Sequence, residues 1–258
     1  MEYHFIKVAK EHHLTIITLN RPESFNALNA TAHEELAHAF DDFQADNNQW
    51  VAIVTGSGEK AFCAGHDLKQ QAAGGGLVTP KSGFGGLTAR FNLNKPVIAA
   101  VNGIAMGGGF ELALACDLII ASDKAVFALP EPRVGLAALA GGMQRLPQVI
   151  GLKRSMGMLL TGRRVTAKEG FELGFINEVT SEPVMEVAKR WAEEILACSP
   201  LSIRATKRAV LNGLETSVEQ GMKGQWEYDA VQNMLNSEDA IEGPKAFAEK
   251  RSPQWYGR

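Results

Sequence analysis

Four short, largely apolar runs decide what this chain can fold into. They are residues 14–19 (LTIITL), 51–55 (VAIVT), 97–101 (VIAAV) and 117–122 (DLIIAS). Each is rich in β-branched residues and does not alternate with polar ones, as expected of strands covered on both faces. Helical spacing intervenes. Residues 31–43 carry an amphipathic pattern behind Asn29, a suitable N-cap, and a second helix is expected from about Gly108 to Cys116. Strands alternating with helices imply a parallel sheet joined by right-handed crossovers. From Gly141 onward the strand signals fade. Helical patterns cover residues 154–160, 167–173, 183–197, 201–214, 217–234 and 239–251. The expected plan is an α/β core over residues 1–195 and a helical C-terminal region over 196–258.

A length of 258 residues with 45% apolar side chains supports a substantial core. The net charge of −3 comes from scattered acids and bases, so no one-signed basic face for nucleic acid is expected. The densest basic group, Arg204, Lys207 and Arg208, reads as a solvated helix face. Cys63, Cys116 and Cys198 are odd in number and widely spaced, which fits a reduced protein without a structural disulfide. Cys116 lies in an apolar run and reads as core packing. Residues 1–5 have no secretion or transit pattern, and no apolar run suits a membrane span, so a cytoplasmic location is expected. His4, His12, His13, His33 and His38 have no convincing set of fellow ligands, and no metal is expected. Residues 72–86, rich in Gly, Ser, Thr and Pro, read as a mobile loop over a site.

The most informative chemistry lies in Asn102-Gly103-Ile104-Ala105-Met106-Gly107-Gly108-Gly109-Phe110-Glu111. A glycine triplet opening an apolar helix lets backbone N–H groups approach a ligand atom. Those groups are unpaired at a helix start and lie at the positive end of its dipole. Developing negative charge is stabilised in such a place. Glu111 falls in the first helical turn and Glu131 on a later loop. Two carboxylates beside an oxyanion site suggest proton chemistry on a carbonyl compound. Either acid alone could instead be a helix-dipole partner or a surface residue.

Four segments, in order, resemble the crotonase (enoyl-CoA hydratase/isomerase) superfamily. Asn20-Arg21-Pro22-Glu23 with Asn26-Ala27-Leu28-Asn29 is similar to its first signature. Lys60-Ala61-Phe62-Cys63-Ala64-Gly65-His66-Asp67-Leu68 resembles the segment that cradles the acyl-CoA. Lys95-Pro96-Val97 through Asn102-Gly103 runs into the glycine triplet. Ser237-Glu238-Asp239, Glu242-Gly243, Ala246-Phe247 and Glu249-Lys250-Arg251 resemble the C-terminal helix. Within the superfamily the chain is most similar to carnitinyl-CoA dehydratase-like members. Phe84-Gly85-Gly86-Leu87-Thr88, Phe91-Asn92-Leu93, the Gly109-Phe110-Glu111 helix and the Gly257-Arg258 ending carry that similarity.

The resemblance implies a crotonase-like (ClpP/crotonase) spiral of ββα units with a helical C-terminal part used for trimerisation. It implies an acyl-CoA thioester substrate, a homotrimer or a dimer of trimers, and no separate cofactor, coenzyme A being part of the substrate. The backbone N–H groups of His66 and Gly108 would form the oxyanion hole. Glu111 would activate water and Glu131 would protonate C2. Substrate contacts would come from Ser24, Ala27, Ala64, Asp67, Leu68 and Leu139, with Phe247 and Lys250 reaching the nucleotide of a neighbouring subunit. Lys250 reads equally well as a helix-end cation.

One departure stands out. In Gly135-Leu136-Ala137-Ala138-Leu139-Ala140-Gly141-Gly142, Ala138 and Leu139 replace the family's usual Pro-Gly. Leu139 is therefore expected to reshape the acyl pocket while still offering its N–H to the water. Enoyl-CoA hydration is the leading expectation. Carnitinyl-CoA dehydration, Δ3,Δ2-enoyl-CoA isomerisation and a catalytically inactive acyl-CoA-binding or RNA-associated trimer are the rivals. The paired glutamates weigh against the isomerase and the inactive binder.

Overall fold

A computed structural model describes residues 1–67 and 79–258. Its larger sheet has six strands in the order β1-β2-β3-β5-β7-β10. They are β1 (Ile6–Glu11), β2 (Leu14–Leu19), β3 (Val51–Gly56), β5 (Val97–Val101), β7 (Leu118–Ser122) and β10 (Glu178–Thr180). β1 and β2 form an antiparallel hairpin, and β2 onward is parallel throughout. The smaller sheet has the order β4-β6-β8-β9. Its strands are β4 (Ala61–Cys63), β6 (Ile104–Met106), β8 (Val126–Ala128) and β9 (Val165–Thr166). The first three are parallel and β9 is antiparallel.

Chain order and sheet membership together show a repeat. β3 then β4, β5 then β6, and β7 then β8 each place one strand in the large sheet and the next in the small one. This is the α/β spiral expected from the sequence. The large-sheet runs are continuously apolar because both faces are covered. Ile17, Leu19, Val54, Ala99 and Ala121 face α1 (Ala30–Ala45) and the small sheet. Leu14, Ile16, Ile53, Ile98 and Ile120 face Val184, Val187, Ala188 and Ala192 of the helix Val184–Leu196. Asn29 caps α1, its side chain accepting the Ala32 N–H at 2.8 Å.

The helix after the glycines, α2, spans Gly108–Ala115. It is followed by α3 (Gly142–Ile150), α4 (Leu152–Thr161), α5 (Ala167–Leu173) and α6 (Val184–Leu196). Beyond them come α7 (Pro200–Gly213), α8 (Val218–Gly224), α9 (Asp229–Leu235) and α10 (Glu238–Ala248).

Three expectations need correction. The region beyond Gly141 contains β9 and β10, too short to leave a periodic signal. Residues 217–234 do not form one helix, because a 3-10 turn at Gln225–Glu227 and an extended Tyr228 separate α8 from α9. α3 was not among the expected helices; its glycine start and internal Pro147 are residues that disfavour a helix. Gly141 in fact serves as its left-handed N-cap at φ +103°, and Pro147 sits within its span.

Candidate active site

Three chain bends meet just beyond the carboxyl ends of β4, β6 and β8. The first is Ala64-Gly65-His66. Gly65 has φ +95°, and a Cβ there would sit 2.8 Å from the Met106 carbonyl oxygen and 3.3 Å from the Gly108 nitrogen. Only glycine allows this approach. His66 pairs with Leu28 in an isolated parallel bridge. Its bonds are Leu28 N–H to Gly65 C=O at 2.8 Å and Asp67 N–H to Leu28 C=O at 3.0 Å. That register uses the groups on either side of His66 and turns its own N–H away from Leu28.

The second bend opens α2. Gly107 lies at φ +55°, its N–H held by the Ala128 carbonyl at 2.9 Å. Its carbonyl accepts the N–H groups of Phe110 and Glu111. The Gly108 N–H precedes these and takes no acceptor among the described residues. The His66 and Gly108 amides thus adjoin across the Gly65 contact, neither with an acceptor among the described residues. The helix dipole reinforces them.

The third bend carries Glu131, at the start of a 3-10 turn (Glu131–Val134) closed by Gly135 in the left-handed region. Its Oε1 lies 3.0 Å from where a Gly107 Cβ would be, so the acid rests on the glycine bend. Its Oε2 is buried with no partner among the described residues, and burial raises its pKa. Glu111, one helical turn into α2, is only 3% exposed. Burial pushes its pKa up to about 7, and the negative charge of Glu131 adds to the rise. The Gly142 N–H donates to Glu111 Oε1 at 2.8 Å and partly offsets that effect. Two acids with raised pKa values and one unmet carboxylate oxygen flank the free amides. The arrangement can carry a proton to and from a carbon whose neighbouring carbonyl becomes an oxyanion.

A model of the enoyl-CoA hydratase/isomerase family matches residues 9–258. The carnitinyl-CoA dehydratase of Proteus mirabilis (strain HI4320) is 47% identical over 249 residues, covering 94% of each chain. That of Escherichia coli (strain K12) is 45% identical, again over 94% of each. Among solved structures, enoyl-CoA hydratase from Mycobacterium tuberculosis H37Rv superposes with a TM-score of 0.92 at 40% identity, over 98% of this chain and 99% of that one. The chain belongs to the enoyl-CoA hydratase/isomerase family. Its two sheets and the helices that follow them are the crotonase fold seen in these solved hydratases.

Two of the family segments, residues 20–29 and 60–67, lie against each other. Ser24, Ala27, Ala64 and Asp67 lie along one rim, tied by Ala64 N–H to Phe25 C=O at 3.0 Å and by the Arg21–Asp67 ion pair at 3.0 Å. The buried Asn26 holds the rim from beneath, donating to Ser57 and Ala61 carbonyls while accepting the Arg21 N–H. Leu68 and residues 72–78 of the expected loop lie outside the described residues. The end of that loop, Phe84–Gly86, is a buried turn packed on α1, not an exposed flap.

Leu139 departs from expectation. Its N–H bonds to the Ala137 carbonyl at 2.9 Å, and its side chain is 72% exposed. Ala138 is the member of that pair that turns inward, 3% exposed, next to Gly142. Phe247 and Lys250 are exposed at the far end of α10, and Lys250 has φ +55°. The Cys63 thiol is buried, and burial pushes its pKa up to about 12, which disfavours the nucleophilic thiolate. Gly142 as the partner of Glu111, and His33 beside the oxyanion bends, were not foreseen. The crowding of glycines at 141–142 was the only available signal for the first.

Proposed function

We propose that the protein is a hydro-lyase of acyl-CoA thioesters, adding water to, or removing it from, the C2–C3 bond. The observation that carries this reading is the pair of amides at His66 and Gly108, without acceptors among the described residues, flanked by Glu111 and Glu131. The thioester oxygen accepts both N–H groups, and these bonds strengthen as negative charge grows on it, lowering the barrier selectively. In the hydration direction, water attacks C3 of the 2-enoyl thioester as Glu111 removes its proton. The electron pair of the C2–C3 double bond moves toward the carbonyl, giving an enolate. Glu131 delivers a proton to C2, leaving hydroxyl on C3 and hydrogen on C2. The atoms balance with no added cofactor. Because the acids interact, their titration belongs to the pair.

A narrower reading is that the substrate is a carnitinyl-CoA or crotonobetainyl-CoA thioester. The relatives at 45–47% identity, named carnitinyl-CoA dehydratases, favour it. Ser24, Ala27, Ala64, Asp67 and Leu68 would hold the thioester arm. Phe247 and Lys250 would reach the nucleotide of an adjoining subunit in a trimer or a pair of trimers.

The test is loss of the conjugated enoyl-thioester absorbance on adding enzyme to crotonyl-CoA and, in parallel, to crotonobetainyl-CoA. Turnover of either, abolished in Glu131→Gln with CoA-ester binding retained, supports hydro-lyase action. Preference for crotonobetainyl-CoA supports the narrower reading. Full turnover by Glu131→Gln removes the assigned role. No turnover of either substrate by the folded wild type removes the function.

A further inference from the structure

One wholly buried polar side chain beside the oxyanion bends is not used by this chemistry. His33, near the start of α1, is 0% exposed. Its Nδ1 lies 3.0 Å from the Gly85 nitrogen, which can only donate. Nδ1 therefore carries no proton, and the neutral ring holds its proton on Nε2. Burial, with the nearby His66 ring, lowers the pKa to about 4, so the ring is neutral at physiological pH. The Nε2–H is sealed from solvent without a partner among the described residues, and so is His66 Nδ1. The two rings lie 6.1 Å apart and within 17° of parallel. One water between them would accept from His33 and donate to His66, satisfying both atoms. It would place the His66 proton on Nε2.

The other edge of His33 reaches the second amide. Gly85, at φ +58° inside its turn, is held by the Nδ1 bond. That turn seats the Phe84 ring, which meets His33 edge-on at 4.6 Å and 77°. Phe84 in turn fills the space above Gly108, where an added Cβ would come within 2.9 Å of its Cε1. His33 thus packs on the Phe84 ring that covers Gly108 and faces the His66 ring across a 6.1 Å centroid separation.

We propose that His33 is a positioning residue of the oxyanion pocket. Its Nδ1 latches the turn that seats Phe84 on Gly108, and its Nε2–H, through one bound water, fixes His66 as the Nε2–H tautomer. The catalytic meaning rests on the proposed role of the two amides, whereas the tautomer and the water do not.

The experiment is nitrogen-15 NMR of histidine-labelled wild type at neutral pH, which reads the tautomer of each ring without substrate. Bare Nδ1 and protonated Nε2 on both His33 and His66 is the expected result. A His66 ring protonated at Nδ1, or averaged between tautomers, overturns the proposal. His33→Asn keeps an acceptor for the Gly85 N–H but removes the distant donor. It is expected to leave His66 a tautomer mixture and to lower kcat roughly three- to tenfold with KM little changed. His33→Leu removes both contacts and is expected to lose more. An unaltered His66 spectrum and unaltered kcat in His33→Asn would also overturn the proposal. Should a variant fail to fold, the wild-type spectrum decides alone. Should no acyl-CoA be turned over, the hydro-lyase reading fails while the spectrum still judges the histidine pair.

Discussion

Glu111 is a carboxylate whose charge the fold opposes. Its pKa rises from 4.5 to about 7, chiefly through burial. With Glu111 as base and Glu131 as acid, kcat/KM should rise along an acid limb as Glu111 ionises and fall again at higher pH as Glu131 loses its proton, the two limbs being reported by the pair. A profile flat down to pH 5 would exclude that assignment. Stability moves the opposite way. A raised carboxylate pKa means the ionised form opposes folding, fully above about pH 7 and not at all below about 4.5. Glu111→Gln retains the Oε1 acceptor for the Gly142 N–H and removes the charge. It should melt a few degrees above wild type at pH 8, with the gap closing toward pH 4.5, while hydration falls by roughly 10²–10⁴-fold. Thermal melts across that range, beside the kinetics, check both.

At the scale of elements, the bends matter more than the helices they start. Gly65→Ala would place a Cβ 2.8 Å from the Met106 carbonyl at a φ of +95°. The expected cost is about 2 kcal/mol or more, together with loss of turnover. Asn29→Ala should cost about 1 kcal/mol through the lost cap and leave kcat unchanged. Denaturant midpoints measured with turnover separate these outcomes. The same contrast explains what was legible in the sequence. β2, β3, β5 and β7 could be read because burial on both faces makes them largely apolar runs, whereas the exposed edge strand β1 and the three-residue β10 left no such signal. β4, β6 and β8 are three residues each and show no period, although they carry the site. The placing of Glu111 by the glycine bend was expected because it follows the glycine triplet, and Glu131 was singled out through the resemblance to hydratases. His33 was not, because nothing in linear order ties residue 33 to Gly85 or to His66.

For the whole molecule, apolar side chains on the C-terminal helices remain uncovered, among them Val210, Leu214, Val218, Met222, Trp226 and Phe247. A surface of this kind suits contact with further copies of the chain. Light scattering is expected to give the mass of three chains or a multiple of it. Val218→Asp should shift that mass downward and raise KM for CoA esters, whereas Lys250→Ala should raise KM and leave the mass unchanged. A monomer of full activity would end the proposal that Phe247 and Lys250 serve a neighbour's substrate. The fold also has a consequence for how such enzymes diversify. His66, Gly108 and Glu131 each follow a small-sheet strand by two or three residues, and adjacent strands are spaced by about 4.8 Å. The reacting atoms are therefore addressed like teeth on a comb. On the proposed chemistry, rewriting the single tooth after β8 would change which carbon receives a proton, while the teeth proposed to hold the thioester stay in place.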